Sequence, residues 1–266
     1  MAETATPRER YRTQVRAEVK ERAWEQIASA GASALSLNAI AKQMGMSGPA
    51  LYRYFAGRDE LITELIRDAY RSLADTFVAA AASAADPAPA PSGPDPVPDP
   101  GPSAPVPGPS APVPDPSGAG PASVPGPAGT DPGAVLTALA RSLRAWALAD
   151  PHRYFLIYGT PVPGYHAPED ITGIAREIMT SLLDAVVGLP ATAPATPFAV
   201  HLETHRPWAE GHPAPASALH RALTFWTRLH GVLSLELAGH FTGMGFDPGL
   251  LYAAELDALL TGAETV

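Results

Sequence analysis

The chain has 266 residues, a formal charge of −9 and no cysteine, which excludes a disulfide framework, a thiolate metal site and a cysteine nucleophile. Hydrophobic residues make up 46% of it, ample for a core, yet 31 prolines and 23 glycines mean that part of the chain has none. The polar opening MAETATPRERYRTQ lacks an apolar leader and no run of about 18 apolar residues follows, so a soluble cytoplasmic protein with no membrane partner is expected.

Charge is shared unevenly. Residues 1–85 carry 11 Lys or Arg against 10 Asp or Glu, while residues 86–266 carry 7 against 17, so a polyanion would be tolerated by the N-terminal block alone. There ERYRTQVRAEVKERAWEQIASAG places Val15, Val19, Ala23 and Ile27 on one face at spacings of four, predicting a first helix that Gly31 stops. Ser36 is positioned to cap a second helix, whose buried stripe is Leu37, Ile40, Ala41 and Met44. Gly45 supplies the positive φ of a tight turn, Met46 plugs the core, and Ser47 caps a short third helix with Pro49 in its first turn. Leu51 and Phe55 then face inward. GRDELITELIRDAYRSLADTFVAAAASAA predicts a long fourth helix, apolar through Leu61, Leu65, Leu73 and Phe77.

Two short helices joined by a glycine turn make a helix-turn-helix, whose second member enters the major groove of double-stranded DNA N-terminus first. The small Ser47, Gly48 and Ala50 let the backbone approach the bases, Tyr52 and Tyr54 carry hydroxyls that reach phosphate, and Arg53 reaches a guanine edge or a phosphate. The same spacing also occurs in ordinary helical bundles.

Residues 86–133 hold 18 of the prolines and no Lys or Arg, and GPSAPVP occurs at 101–107 and again at 108–114. Such a composition cannot offset ordering entropy, so a disordered, locally extended tether is expected, either a plain spacer or a proline-motif docking segment. Residues 134–266 read as a second helical domain. AVLTALARSLRAWALADP puts Leu136, Leu139, Leu143 and Trp146 on one stripe, PHRYFLIYG is a short aromatic helix, and PEDITGIAREIMTSLLDAVVG turns Ile171, Ile174, Ile178 and Leu182 inward. In ASALHRALTFWTRLHGVLSLELAGHF one face is Leu219, Leu223, Trp226, His230, Leu233 and Leu237, and another is Phe225, Leu229, Val232 and Leu235. A helix apolar on both sides must be covered on both. With Leu235 beside the small Gly231, Ala238 and Gly239, close approach of a second copy is the expected cover, since a palindromic site needs a two-fold dimer.

LSLNAIAKQMGMSGPALYRYFAGRDELITELI resembles the DNA-binding domain of the tetracycline-repressor (TetR) family, most specifically in GMSGPALYRYF followed by a polar turn and DEL. The resemblance implies base or phosphate contacts from Ser47, Gly48, Pro49, Ala50, Tyr52, Arg53 and Tyr54. It implies phosphate contacts from Asn38 and Arg58. Gly48 departs from relatives with a longer polar side chain there, and the tether stands where relatives have a short link. FWTRLHGVLSLELAGHF resembles a regulatory domain of some actinobacterial relatives, marked by Trp-x-x-x-His-Gly, here Trp226, His230 and Gly231. That likeness implies an all-helical domain for effector binding and dimerisation.

The expectation is therefore an all-α chain in three parts: a three-helix reading head with its connecting helix at 1–85, a tether at 86–133, and a regulatory domain at 134–266. Its function is that of a homodimeric transcriptional repressor released from a palindromic operator by a small, largely apolar effector. The pocket for it is drawn from Trp146, Tyr154, Phe155 and Tyr158, with Met179, Leu183, Trp226 and His230 from the helices expected to pack on them. His230 is equally suited to a hydrogen-bonded core position. An effector-independent architectural DNA-binding protein and a metal sensor built on His201, His205, His212 and His220, the first two at i,i+4 spacing, are the alternatives. No Gly-rich phosphate loop, nucleophile elbow or paired-carboxylate motif points to an enzyme, and no cofactor is expected.

Overall fold

The computed structural model describes residues 6–85, 131–162, 165, 168–190, 196–209 and 211–262. Residues 86–130, where most of the expected tether falls, lie outside the described residues. Among those described there are ten α-helices and no strand.

Helix α1 (Pro7–Ala30) opens on a capping box that the periodicity alone did not reveal. The Thr6 amide donates to Glu9 Oε2 at 2.7 Å and the Glu9 amide donates to Thr6 Oγ1 at 3.3 Å, satisfying two of the orphan donors of the first turn. At its other end Gly31 takes φ +79°, and a 3-10 turn (Ala32–Ala34) leads into α2 (Leu37–Gln43), capped by Ser36 Oγ accepting from the Ala39 amide at 3.3 Å. Helix α3 (Gly48–Leu51) is a single turn, and α4 (Arg58–Ala85) runs for 28 residues.

Helix α4 belongs to two cores. Its first half sends Leu61, Ile62, Leu65 and Ile66 into the head, against Val19, Ile40, Leu51 and Phe55. Its second half sends Leu73, Ala74 and Phe77 into the regulatory core, against Leu139, Leu143, Leu182 and Leu229. The head is in turn completed by Leu156 and Ile171, which come from beyond residue 134. Ile171, expected to join Ile174 and Ile178 on one inward stripe, thus packs into the head while they pack into the regulatory core.

Helix α5 (Pro132–Ala149) starts two residues earlier than the domain boundary read from composition. The reason is local: Asp131 Oδ1 accepts from the Gly133 amide at 3.0 Å, and Pro132 fills the first helical position, so a Pro-Gly pair that reads as linker is a helix start. The remaining helices are α6 (Pro151–Tyr158), α7 (Glu169–Val187), α8 (Pro197–Leu202), α9 (Ala216–Leu237) and α10 (Pro248–Thr261). Helices α5 and α7 flank α4, and α10 packs along α9. Tyr252 of α10 donates its hydroxyl to the Ala140 carbonyl at 2.8 Å, and Arg144 Nε lies 3.2 Å from Glu236 Oε2, tying α5 to both.

Candidate functional site

Local geometry fixes what the head presents. Gly45 adopts φ +65°, and the Met46 amide returns to the Ala41 carbonyl at 2.9 Å, so the chain reverses sharply into α3. Leu51 and Phe55 are fully buried, which forces the residues between them outward. Ser47, Pro49, Tyr52 and Arg53 are exposed, and Gly48, Ala50 and Tyr54 are half-buried. Ser47 stands at the cap position of α3 but its side chain makes no capping hydrogen bond, contrary to expectation: Pro49 has no amide to give, and the Ala50 amide donates to the Ser47 carbonyl at 2.9 Å. Asn38 is exposed on the first turn of α2, and a Cβ added at Gly48 would sit 3.4 Å from Asn38 Oδ1. Gly48 therefore brings the leading ends of α2 and α3 together on one face.

That face is held from behind by residues the sequence reading did not select. Arg16 of α1 donates to the Tyr54 carbonyl, lies over the Phe55 ring at 4.2 Å, and pairs with Glu60 at 3.5 Å and Glu64 at 3.6 Å. One turn on, Lys20 pairs with Asp68 at 2.6 Å. The signal was available, since cations at 16 and 20 match acids at 60, 64 and 68 with the same four-residue step. Arg58, expected on phosphate, uses Nη2 to donate to the carbonyls of Ala32 (2.9 Å) and Ser33 (3.4 Å), fixing the start of α4 to the 3-10 turn.

In the regulatory domain five of the eight expected pocket residues come together in one aromatic cluster. The hydroxyl of the fully buried Tyr154 lies 2.9 Å from His230 Nδ1 and 2.7 Å from Ser234 Oγ. The His230 ring stacks on Tyr154 (5.6 Å) and meets Tyr158 (4.5 Å) and Trp226 (4.2 Å), while Phe155 packs edge-on against Tyr154. Burial lowers His230 from 6.5 to about 4, so the ring is neutral at ordinary pH, and its Nε2 is buried without a partner. Burial likewise raises the phenols of Tyr154 and, further, Tyr158. The cluster touches α4 through Tyr70 against Tyr158 (6.0 Å) and Phe77 against Trp226 (6.5 Å). Trp146 sits apart, donating its Nε1 to Ser72 Oγ at 3.1 Å; Met179 and Leu183 pack into the surrounding apolar core. A separate cleft of about 380 Å³ lies between head and regulatory domain, and Phe155 alone of the eight lines it.

The expected seam residues Gly231, Leu235, Ala238 and Gly239 are all exposed in the single chain. Gly239 also has a local task in the single chain. Helix α9 ends at Leu237, Gly239 takes φ +76°, and its amide and that of His240 return to the carbonyls of Glu236 and Leu235, both at 3.0 Å. It lets the chain leave the helix in a left-handed turn. Beside this end lie apolar side chains the reading missed: Met244 is 63% exposed, Phe246 42% and Leu250 of α10 71%, against 45% for Leu235. His201 and His205 stack ring on ring at 3.9 Å, and among the described residues no three His, Asp or Glu side chains gather to hold a metal. Among the same residues no helix is long and apolar enough to cross a membrane.

Two family models match the chain: "Bacterial regulatory proteins, tetR family" at residues 21–65 and "Tetracyclin repressor-like, C-terminal domain" at residues 136–259. The HTH-type transcriptional regulator Rv1816 of Mycobacterium tuberculosis is 32% identical over 260 residues, covering 94% of this chain and 92% of that protein. Mb1846 of Mycobacterium bovis, also an HTH-type transcriptional regulator, matches to the same extent. Of solved structures, SCO4313 is 59% identical with a TM-score of 0.72, covering 96% of this chain and 100% of that one. A protein of unknown function from Rhodococcus sp. RHA1 has the same fold at 18% identity and a TM-score of 0.58, covering 93% of this chain and 94% of its own.

Proposed function

The chain belongs to the tetR family of DNA-binding, helix-turn-helix transcriptional regulators, and on that premise we propose that it works as a homodimer. Its two heads bind a palindromic operator and are released by a small, largely apolar ligand. The observation that carries the dimer is the unpartnered apolar end of the α9–α10 pair. Leu235, Met244, Phe246 and Leu250 are each more than 40% exposed there, an unusual concentration for a finished monomer surface. Two-fold pairing over that end would bury them and set two reading heads side by side.

On the operator, Ser47, Gly48, Pro49 and Ala50 approach the groove floor, Arg53 reads or anchors, and Tyr52, Tyr54 and Asn38 hold phosphates. Arg58 acts one step back, by holding α4 to the turn that precedes α2. The proposed ligand sits at the Tyr154–His230–Trp226 cluster, with Met179 and Leu183 in the apolar core around it. The cluster touches α4 at Tyr70 and Phe77, so repacking it around a ligand would shift the helix that carries the head. The ligand then favours one head separation and the operator the other, a population shift.

Titration of the purified chain into a fluorescent operator duplex tests this. Saturation at two chains per duplex is expected, and saturation at one would overturn the dimer.

A further inference from the structure

The cleft between head and regulatory domain belongs to neither the reading face nor the aromatic cluster. One wall is Ile27, Gly31, Ala32 and Ser33, where α1 turns into the 3-10 segment. The other is His152, Phe155 and Leu156 of α6, continued by Thr160, Pro161 and Val162. Its depth is apolar, since Ile27 and Leu156 are buried in the head core and Val162 packs against it. Its rim is polar: Ser33, His152 and Thr160 are exposed. The Ile27 and Phe155 carbonyls already accept from the amides of Gly31 (2.9 Å) and Gly159 (3.0 Å), and Ser33, His152 and Thr160 supply the rim's polar side chains.

We propose that this cleft is a second small-molecule site, taking a compact, uncharged molecule with an apolar body and a single hydroxyl or carbonyl group. The volume of about 380 Å³ falls at the lower end of the range for ligand sites, about 300–1,000 Å³. None of the ten lining residues is Asp, Glu, Lys or Arg, so a charged ligand would be desolvated there without an ion partner. The apolar body enters against Ile27, Leu156 and Val162, and the polar group stays at the rim with Ser33, Thr160 or His152.

Occupancy reaches the head through short links. The Ala32 and Ser33 carbonyls are held by Arg58 at the start of α4, and the Ser36 amide, at the cap of α2, donates to Gln26 Oε1 at 3.0 Å. On the opposite wall, Arg153 of α6 lies over the Trp24 ring at 5.6 Å. A molecule filling the cleft therefore bridges the two bodies and fixes the angle between them.

The probe for the test is 4-phenylphenol, which carries the proposed chemistry. Hydrogen–deuterium exchange and calorimetry on the full chain should show it binding, with added protection in both 27–35 and 152–162. Ser33→Trp, placed at an exposed rim position, should weaken binding by about tenfold or more by filling the mouth, and Thr160→Trp, the second variant, should do the same. Val200→Trp, at an exposed position of α8 outside the cleft lining, should leave binding unchanged. No binding up to the solubility limit, binding that both rim variants leave intact, or protection confined to α9 would each overturn the proposal. None of these readouts involves DNA, so failure of operator binding and failure of this site are separable.

Discussion

The guanidinium of Arg16 lies 4.2 Å over the ring of Phe55, and the same side chain donates to the Tyr54 carbonyl, so one cation of α1 holds the last turn of the reading segment from behind. Arg16→Met keeps the aliphatic stem and removes the charge, the carbonyl bond and the pairs with Glu60 and Glu64. The expected outcome is a folded protein destabilised by about 1–2 kcal/mol. Operator affinity should fall by more than that loss explains, because Tyr52 and Arg53 are no longer held in place. Thermal melts and fluorescence anisotropy on one preparation check it; unchanged affinity would show that Arg16 serves the core alone.

Arg53 and Arg58 should separate in their salt dependence. Arg53 is exposed on the reading face, so Arg53→Ala should weaken binding and reduce the slope of log affinity against log salt by about one per subunit. Tyr52→Phe should weaken binding with the slope unchanged, since it removes a neutral donor. Arg58→Ala should leave the slope alone and lower stability by about 1 kcal/mol, because it loses bonds to the Ala32 and Ser33 carbonyls. A slope reduced in Arg58→Ala would return that residue to the phosphate contacts.

His230 predicts an acid weakness. Its value falls from 6.5 in the unfolded chain to about 4 in the folded one, because burial disfavours the charged ring. As pH drops through that window the unfolded chain takes up the proton first. Stability from this group is therefore complete above about pH 6.5 and declines down to about pH 4, by at most about 3 kcal/mol. Urea midpoints for the parent and His230→Gln, at neutral pH and near pH 4, isolate the effect. The parent should lose more stability on acidification, and equal losses would mean that the ring is not buried neutral.

The dimer face yields a charge test. Leu250 is 71% exposed in the single chain, so Leu250→Arg should leave each chain folded yet shift sedimentation toward monomer. Leu235→Arg should act in the same direction. Gly239→Leu is a poorer probe, because φ +76° strains any side chain there and would cost stability with or without a partner. A dimer that survives Leu250→Arg would move the seam elsewhere.

Much of this architecture was legible in the chain. The four-residue stripes of Val15 to Ile27 and of Leu61 to Phe77, and the Gly45 turn, map directly onto buried faces, because helical burial is a local pattern. Three things were not legible, each for a stated reason. Thr6 and Asp131 cap helices whose starts hide in polar or Pro-Gly sequence, where apolar periodicity carries no signal. That Gly239 ends α9 in a left-handed turn was hidden because sequence does not report φ. Arg16 and Arg58 face tertiary partners 38 and 26 residues away, so nothing within one helix separates a positioning arginine from a phosphate-binding one.

The central claim is that a two-fold dimer reads DNA through the 47–54 face, and footprinting on the DNA flanking the protein's own gene tests it most directly. The account predicts protection of a palindromic site, with half-sites on one face of the duplex about one helical turn or a multiple apart. Arg53→Ala should abolish the protection and the parent should restore it. Uniform, sequence-independent protection that Arg53→Ala leaves unchanged would contradict the account and favour an architectural DNA-binding role.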